Sequence, residues 1–353
     1  MGIGSRIKAA RIMAGLNLRH LADEVGVSAQ AISKYERELD VPGSGKLIKL
    51  AKSLNVTIEY FLRPTEVHLS APYYRRSSSL SKTKEKSILA RVQDCIERYM
   101  EVEQLFGSIK SFIIPQSLNT HINSLDEVER VAEDLRGEWQ LGLDPIENLV
   151  AILEDHGVRV VVLEGDDHFD ALTQWANGYL PVIAVKSNIP GDRQRLNLGH
   201  ELGHIILNVG RECDIEKAAY RFSGAFLVPR DAALFELGKK RRKIDLLEVH
   251  ILKHKYGLSK QGWVYRAKDL EIITESQAAN LFKLFRQKDW RKREPGDQLP
   301  PEEPKRMDRL LMRALAERII SESRASELLG MQLPQYLKKE AQKHGGFPSG
   351  MCN

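Results

Sequence analysis

Apolar positions in the first sixty residues recur at helical spacing in short blocks. Ile7, Ala10 and Met13 share one face, and Gly15 ends the block. Leu18, Leu21, Ala22 and Val25 form a second block closed by Gly26. Ser28 is placed to cap a third that buries Ala31, Ile32 and Tyr35. After Pro42-Gly43, the residues Leu47, Ile48, Leu50, Ala51 and Leu54 predict a fourth helix. Thr57 opens a fifth carrying Ile58, Tyr60, Phe61 and Leu62. A polar stretch with Pro64, Pro72 and Ser77-Ser78-Ser79 reads as a connector. Helical spacing then resumes from Ile88 to Leu105. Further on, Val128 to Trp139 and Ile146 to Leu153 predict helices, whereas Val158–Leu163 and Pro181–Val185 are β-branched runs that predict buried strands. Leu246–Leu252 and Trp263–Ala267 predict two more helices. A proline-rich charged loop is expected over 291–306, then a helix from Leu310 to Ile319.

Charge sharpens this outline. Residues 1–86 hold 15 Lys+Arg against 8 Asp+Glu, a net of +7. The whole chain of 353 residues sums to only +5, so the remainder is −2. A basic leading module favours a polyanion partner through counterion release at phosphates. The length suits two or three domains. No apolar run approaches the ~20 residues that cross a bilayer. The first residues lack the apolar stretch of a secretory signal. Three scattered cysteines, Cys95, Cys213 and Cys352, argue against a disulfide framework. A cytoplasmic protein with no membrane partner is the expectation.

The turn Glu24-Val25-Gly26-Val27-Ser28 has the parts of a helix-turn-helix: a glycine for the bend, a valine for the interhelical core and a serine to start the next helix. Through Leu21–Ser28 and Ile32–Arg37 the stretch resembles the XRE/Cro-like DNA-binding domain over about residues 3–64. Leu18 and Glu38 depart from its common glutamine and glycine. Ala29, Gln30, Ser33 and Lys34 are the expected major-groove residues. Gln30 suits an adenine edge, and Lys34 a guanine or phosphate. The partner implied is double-stranded operator DNA, bound by a homodimer reading paired half-sites. The bland alternative is a helical unit used only for protein contact.

The second chemistry-bearing segment is His200-Glu201-Leu202-Gly203-His204. Residues four apart on a helix differ by about 40° around its axis, so both imidazoles face one side. That spacing suits two nitrogens of a Zn²⁺ site, with Glu201 beside them as general base rather than ligand. The alternative is a pair of hydrogen-bonded core histidines. A third ligand is expected from the helix running from Asp214 to Pro229. Glu216 is the first candidate and Asp214 the second; Glu216 as a solvated first-turn residue is the alternative. Such a centre activates water against a scissile carbonyl, with Glu201 shuttling the proton. Tyr220 is the leading oxyanion stabiliser, ahead of Tyr265 and Arg266.

Arg193-Gln194-Arg195, His200–His204 and the block from Glu216 to Pro229 resemble the ImmA/IrrE family of zinc metallopeptidases over roughly residues 125–275. The family's second glutamate and its asparagine are replaced here by Ala218 and Tyr220. The resemblance implies selective cleavage of a repressor or antitoxin-like partner. The alternative is a non-catalytic repressor or antitoxin that binds its own promoter and neutralises a toxin. The expected fold is mainly α with a small β-sheet (α+β). Its expected parts are a five-helix DNA-binding domain (1–64), a linker and long helix (65–124), a zincin-like metallopeptidase domain (125–290) and a helical C-terminal region (291–353). Within the last of these, Ser321–Met331 mimics a helix, glycine turn and new start, as a degenerate second helix-turn-helix or a docking element would.

Overall fold

The computed structural model describes residues 2–63, 67–72, 81–107, 109–165, 169–290 and 293–343. The connector residues Pro64 and Ser77–Ser79 lie outside these residues, as does Cys352, whereas Ser70 and Pro72 lie within them. The fold is mainly α with a small β-sheet, and it divides into two compact units. One is drawn from residues 1–68, 78–110 and 305–353, the other from 69–77 and 111–304.

The first unit begins with α1 (Ile3–Met13), α2 (Leu18–Val25), α3 (Ala29–Glu36) and α4 (Ser44–Ser53). Asn17 and Ser28 cap α2 and α3 by accepting the amides of His20 (2.9 Å) and Ala31 (3.1 Å), which satisfies donors the helix cannot pair itself. Gly26 adopts φ +74° between them, the left-handed turn that a glycine there predicts. Ile7, Leu21, Val25, Ile32, Leu50 and Phe61 make the core. The fifth element is a single 3-10 turn, Glu59–Phe61, rather than a full helix. Glu38, standing where a glycine is common, takes φ +59°, and its carboxylate accepts the Gly2 amide.

A long helix, α5 (Lys82–Gln104), packs on α1 through buried charges. Arg6 Nη1 donates to Glu97 Oε2 at 2.5 Å, and Arg63 Nη2 reaches both Glu97 (3.2 Å) and Asp94. Burial works to raise the Asp94 pKa, but Arg98 and Arg63 outweigh it and hold the carboxyl below its ordinary value.

The second unit holds β1 (His121–Ile122), α6 (Leu125–Glu138), α7 (Leu149–Asp155), β2 (Arg159–Leu163), β3 (Ala171–Ala176), β4 (Leu180–Lys186), α8 (Gly191–Ile206), β5 (Asn208–Val209) and α9 (Ile215–Leu227). It continues through α10 (Arg230–Leu237), α11 (Leu246–Tyr256), α12 (Lys260–Asp269) and α13 (Glu275–Gln287). The sheet order is β2-β4-β3, with β2 parallel and β3 antiparallel to β4; β1 and β5 form a separate parallel pair. Val160, Ile183 and Val185 of the sheet share one core with Leu198, Leu202, Phe222, Phe226 and Trp263.

Buried cations tie this core together. Arg136, 1% exposed, donates to the carbonyls of Phe226, Gly142 and Asp144 at 2.7, 2.8 and 2.7 Å, which closes the carbonyl end of α9. Arg266 grips Glu129 with two bonds of 2.5 and 2.7 Å and donates to the Val228 carbonyl. The proline-rich stretch has no helix or strand between Arg293 and Pro304, yet it is strapped to the start of α8. Gln194 and Glu302 exchange two hydrogen bonds (2.9 and 2.7 Å), and Leu299 O accepts the Gly191 amide.

The chain ends in α14 (Arg306–Ala316), α15 (Glu322–Leu329) and α16 (Leu333–Lys343), which belong to the first unit. Leu311, Ala325 and Leu328 close a small core around Val102 of α5. Gly330 forms the predicted turn at φ +70°.

Candidate metal centre and DNA-reading helix

Two glycines explain how the chain builds its second site. Gly199 and Gly203 line the face of α8 that meets α9, opposite Ser223 and Ala219. A Cβ at Gly199 would lie 2.5 Å from Ser223 Oγ, and one at Gly203 3.1 Å from Ala219 Cα. The two helices therefore approach nearly backbone to backbone, more closely than bulkier side chains allow. The short return through Gly210 and Asp214 then lays the first turn of α9 beside the last turns of α8.

His200 and His204, one turn apart, turn their Nε2 atoms to a common point, 3.1 Å from each other. Glu216 reaches the same point, with carboxylate oxygens 3.5 Å from His200 Nε2 and 3.6 Å from His204 Nε2. The three residues form a group able to hold a metal ion. Asp214, the other candidate, is engaged elsewhere: it caps α9 by accepting the amides of Glu216 and Lys217. The set fits Zn²⁺. Bonds of ~2.0–2.1 Å at tetrahedral angles put neighbouring donor atoms about 3.3 Å apart, close to the separations found. Two imidazole lone pairs aimed at each other are also poorly satisfied unless a proton or cation lies between them. Both Nδ1 atoms are buried with no hydrogen-bond partner among the described residues, so packing rather than a polar neighbour sets the ring orientations.

Electrostatics keeps these donors in their ligating form. Burial, helped by His204, holds the His200 pKa down to about 3. Burial lowers His204 as well, against the opposing pull of Glu216. Both rings are neutral at physiological pH, as metal ligation requires. Glu201, 4% exposed, accepts a 2.6 Å hydrogen bond at Oε2 from Thr173 Oγ1 of β3. Burial raises its pKa to about 8, the Thr173 bond opposing this and Glu216 adding to it. The Tyr220 ring lies 4.1 Å from that of His200 and remains half exposed; burial and the nearby Glu216 raise its phenol pKa. Arg266 and Tyr265 are occupied elsewhere, the first by Glu129 and the second against the Phe282 ring.

Two participants escape a search for motifs. Thr173 lies on a strand that the apolar pattern alone leaves unmarked, although Asn177-Gly178 after it is a hairpin signal. Arg193 Nη2 donates to both carboxylate oxygens of Asp170 at 2.8 Å and ties the residue before β3 to α8. Beside Tyr220 a cavity of about 600 Å³ opens between α8, α9 and α12, lined by Arg193, Leu196, Asn197, Leu258 and Tyr265.

In the other unit, Gln30 and Lys34 are exposed on α3, with Ala29 and Ser33 half-buried on the same helix, while Ile32 and Tyr35 face the core. Comparison with known families matches residues 7–61 to a family described as Helix-turn-helix. Residues 153–268 match one described as IrrE N-terminal-like domain. The chain carries a helix-turn-helix domain followed by an IrrE N-terminal-like domain.

Known proteins share parts of it. The HTH-type transcriptional regulator ImmR of Bacillus subtilis is 25% identical over 130 residues, 37% of this chain and 98% of that protein. An uncharacterized HTH-type transcriptional regulator of Rickettsia prowazekii is 26% identical over 106 residues, 27% of this chain and 82% of its own length. One from Sinorhizobium medicae is 34% identical over 59 residues, 17% of this chain; the match spans 42% of that relative. The residues matched as helix-turn-helix contain α3 with Gln30 and Lys34. The IrrE N-terminal-like domain contains every residue of the candidate metal centre. No helix among the described residues is long and apolar enough to cross a membrane.

Proposed function

We propose that this chain is a DNA-binding transcriptional regulator whose IrrE N-terminal-like domain is a zinc-dependent endopeptidase acting on a specific protein partner of repressor or antitoxin type. The observation that carries the reading is the convergence of His200 Nε2, His204 Nε2 and the Glu216 carboxylate, with Glu201 held beside them by Thr173. A Zn²⁺ ion held by those three residues supplies Lewis acidity toward water and a peptide carbonyl. The protein does the rest. Thr173 occupies Glu201 Oε2, which leaves Oε1 to take a proton from the attacking water and deliver it to the leaving amine nitrogen. Its raised pKa suits a group that must both accept and release that proton near neutrality. Tyr220 keeps its phenolic proton and donates it in a hydrogen bond to the developing oxyanion. The cavity beside Tyr220 receives a substrate side chain.

The helix-turn-helix domain presents Gln30 to base edges and Lys34 to guanine or phosphate, one copy of the chain on each half of an operator. Tethering at a promoter confines proteolysis to partners met there. The test is a Glu201→Gln substrate trap: the variant retains zinc and operator binding and captures, uncleaved, a protein that the wild type cuts. A variant that regulates and neutralises its partner as the wild type does would instead mark the chain as a non-catalytic repressor or antitoxin.

A further inference from the structure

The C-terminal helices repeat the plan of the N-terminal pair. Helices α2 and α15 both run 8 residues and are capped alike: Asn17 accepts the His20 amide, and Ser321 the Arg324 amide at 3.2 Å. Both end on a left-handed glycine, Gly26 at φ +74° and Gly330 at φ +70°. The next residue then returns its amide to the helix, Val27 to Ala22 O (3.0 Å) and Met331 to Ser326 O (3.2 Å). A further helix follows each turn, α3 in one case and α16 in the other.

The inner face of α16 is fixed by its contacts. Leu333 is buried, and its amide donates to Ser326 Oγ of α15 at 3.0 Å. Tyr336 donates its hydroxyl to Asp308 of α14 (2.9 Å), and Glu340 accepts Lys305 Nζ (2.7 Å). Helical spacing therefore turns Gln335, Lys338, Lys339 and Gln342 outward, and all four are exposed. Lys338 and Lys339 form no ion pair among the described residues. Gln335 and Lys339 stand four apart, the spacing of Gln30 and Lys34 on α3.

Charge follows the same repeat. Residues 305–353 hold 9 Lys+Arg against 5 Asp+Glu, a net of +4, beside the +7 of residues 1–86. With +5 for the whole chain, residues 87–304 are left at −6. The excess positive charge thus sits on the two segments that carry a helix, a glycine turn and a second helix. Both segments belong to one compact unit and are linked through α5. Arg63 and Arg98 share the Asp94 carboxylate, and Arg98 Nη1 donates to Leu328 O near the end of α15 (2.9 Å).

We infer that α16 is a second DNA-contacting helix, with Lys338 and Lys339 on phosphates and Gln335 at a base edge. Exposed, unpaired lysines on a packed helix replace counterions along a phosphate backbone. A glutamine on the same face can pair with an adenine edge, as Gln30 does on α3. A protein partner would instead need a cluster of apolar anchors, and α16 exposes one large apolar side chain, Leu337. The inference stands apart from the peptidase reading, since it needs neither zinc nor Glu201.

The test is fluorescence anisotropy of the full chain on a fluorescein-labelled, mixed-sequence duplex of about 40 base pairs, at salt concentrations from about 0.05 to about 0.3 M. Each phosphate contact adds about 0.9 to the slope of log affinity against log salt. Lys338→Ala with Lys339→Ala should therefore cut the slope by about 1.8 and weaken binding at least ~10-fold at about 0.1 M salt. Lys338→Arg with Lys339→Arg should keep both. Lys283→Ala with Lys288→Ala, which removes two exposed charges from the other unit, should leave the slope unchanged. A Lys338/Lys339 alanine variant with the wild-type slope, or one no weaker than this control, overturns the second contact and leaves α16 to a protein partner. Lys34→Ala, measured alongside, reads α3 separately. On a duplex selected from a random library by the full chain, Gln335→Ala should relax the preference at one position; an unchanged preference overturns the base contact.

Discussion

Replacing Gly199 by alanine tests whether the close crossing of α8 and α9 assembles the metal centre. The new methyl would lie 2.5 Å from the Ser223 hydroxyl oxygen, and 3.1 and 3.2 Å from that residue's β- and α-carbons. Ordinary carbon neighbours need about 3.5 Å, so the worst overlap is roughly 1 Å. Ser223 has no room to yield, being fully buried with its hydroxyl bonded to Leu196 O at 2.7 Å. Rotating that hydroxyl away would forfeit the bond and still leave the methyl crowded against both carbons. In a solvated helix Gly→Ala stabilises by about 1 kcal/mol; overpacking a filled core costs about 1–3 kcal/mol. The net expectation is a loss of about 0–2 kcal/mol in denaturant unfolding. The larger effect falls on metal. Ligand distances tolerate only about ±0.2 Å, and α9 carries Glu216. Zinc affinity, measured by chelator competition, should weaken at least ~10-fold, a change of about 1.4 kcal/mol. Gly199→Ala with Ser223→Ala removes the worst overlap and should recover most of the affinity. A single variant that is about 1 kcal/mol more stable and binds zinc like the wild type would refute the reasoning.

Glu201→Gln should abolish partner cleavage, by about 10²–10⁴-fold in rate, with zinc content unchanged, read by mass spectrometry of the partner. Gln30→Ala should cost about 1–3 kcal/mol at the operator and relax specificity there. Lys34→Ala should flatten the salt dependence of binding by roughly one charge in a titration from low to high salt. Arg266→Met removes both short bonds from the buried Glu129 carboxylate and leaves it only the 3.2 Å contact with Arg221, which should destabilise the domain by about 3 kcal/mol in denaturant unfolding. Burial works to raise the Glu129 pKa, but the hydrogen bonds and charge of Arg266, with Arg221 and Arg230, hold it below its ordinary value. Its folded value being depressed, its contribution is complete above the ordinary carboxylate range and fades as pH falls through the folded value. Glu129→Gln should lose that acid sensitivity in unfolding curves taken at successive pH values.

The sequence discloses the helix-turn-helix because its signals are local: Gly26 must bend, Ser28 must cap, and Ile32 and Tyr35 follow the helical period. His200, Glu201 and His204 are legible for the same reason. That Glu216 reaches them depends on a helix crossing twelve residues away, and the glycines permitting it, Gly199 and Gly203, resemble any small residues in a helix. Thr173 is hidden for another reason. Its strand, Ala171–Ala176, mixes small, polar and aromatic residues without strict alternation, and only the following Asn177-Gly178, both at positive φ, betrays the hairpin. The fifth helix expected after Thr57 shrinks to one turn, because Pro64 disfavours helical backbone in the residue before it and stops the run. The long helix gives no sign of its neighbour. Its buried Glu97 accepts Gln93 Nε2 from one turn away, but its charge is matched by Arg6 and Arg63, which are distant in sequence.

The most direct trial of the whole account is zinc-edge anomalous diffraction from crystals of the full chain grown with stoichiometric Zn²⁺. One anomalous peak should lie within bonding distance of His200 Nε2, His204 Nε2 and a Glu216 oxygen, and it should vanish in His204→Ala. A zinc-free centre at full saturation, or an ion bound by other residues, would contradict it.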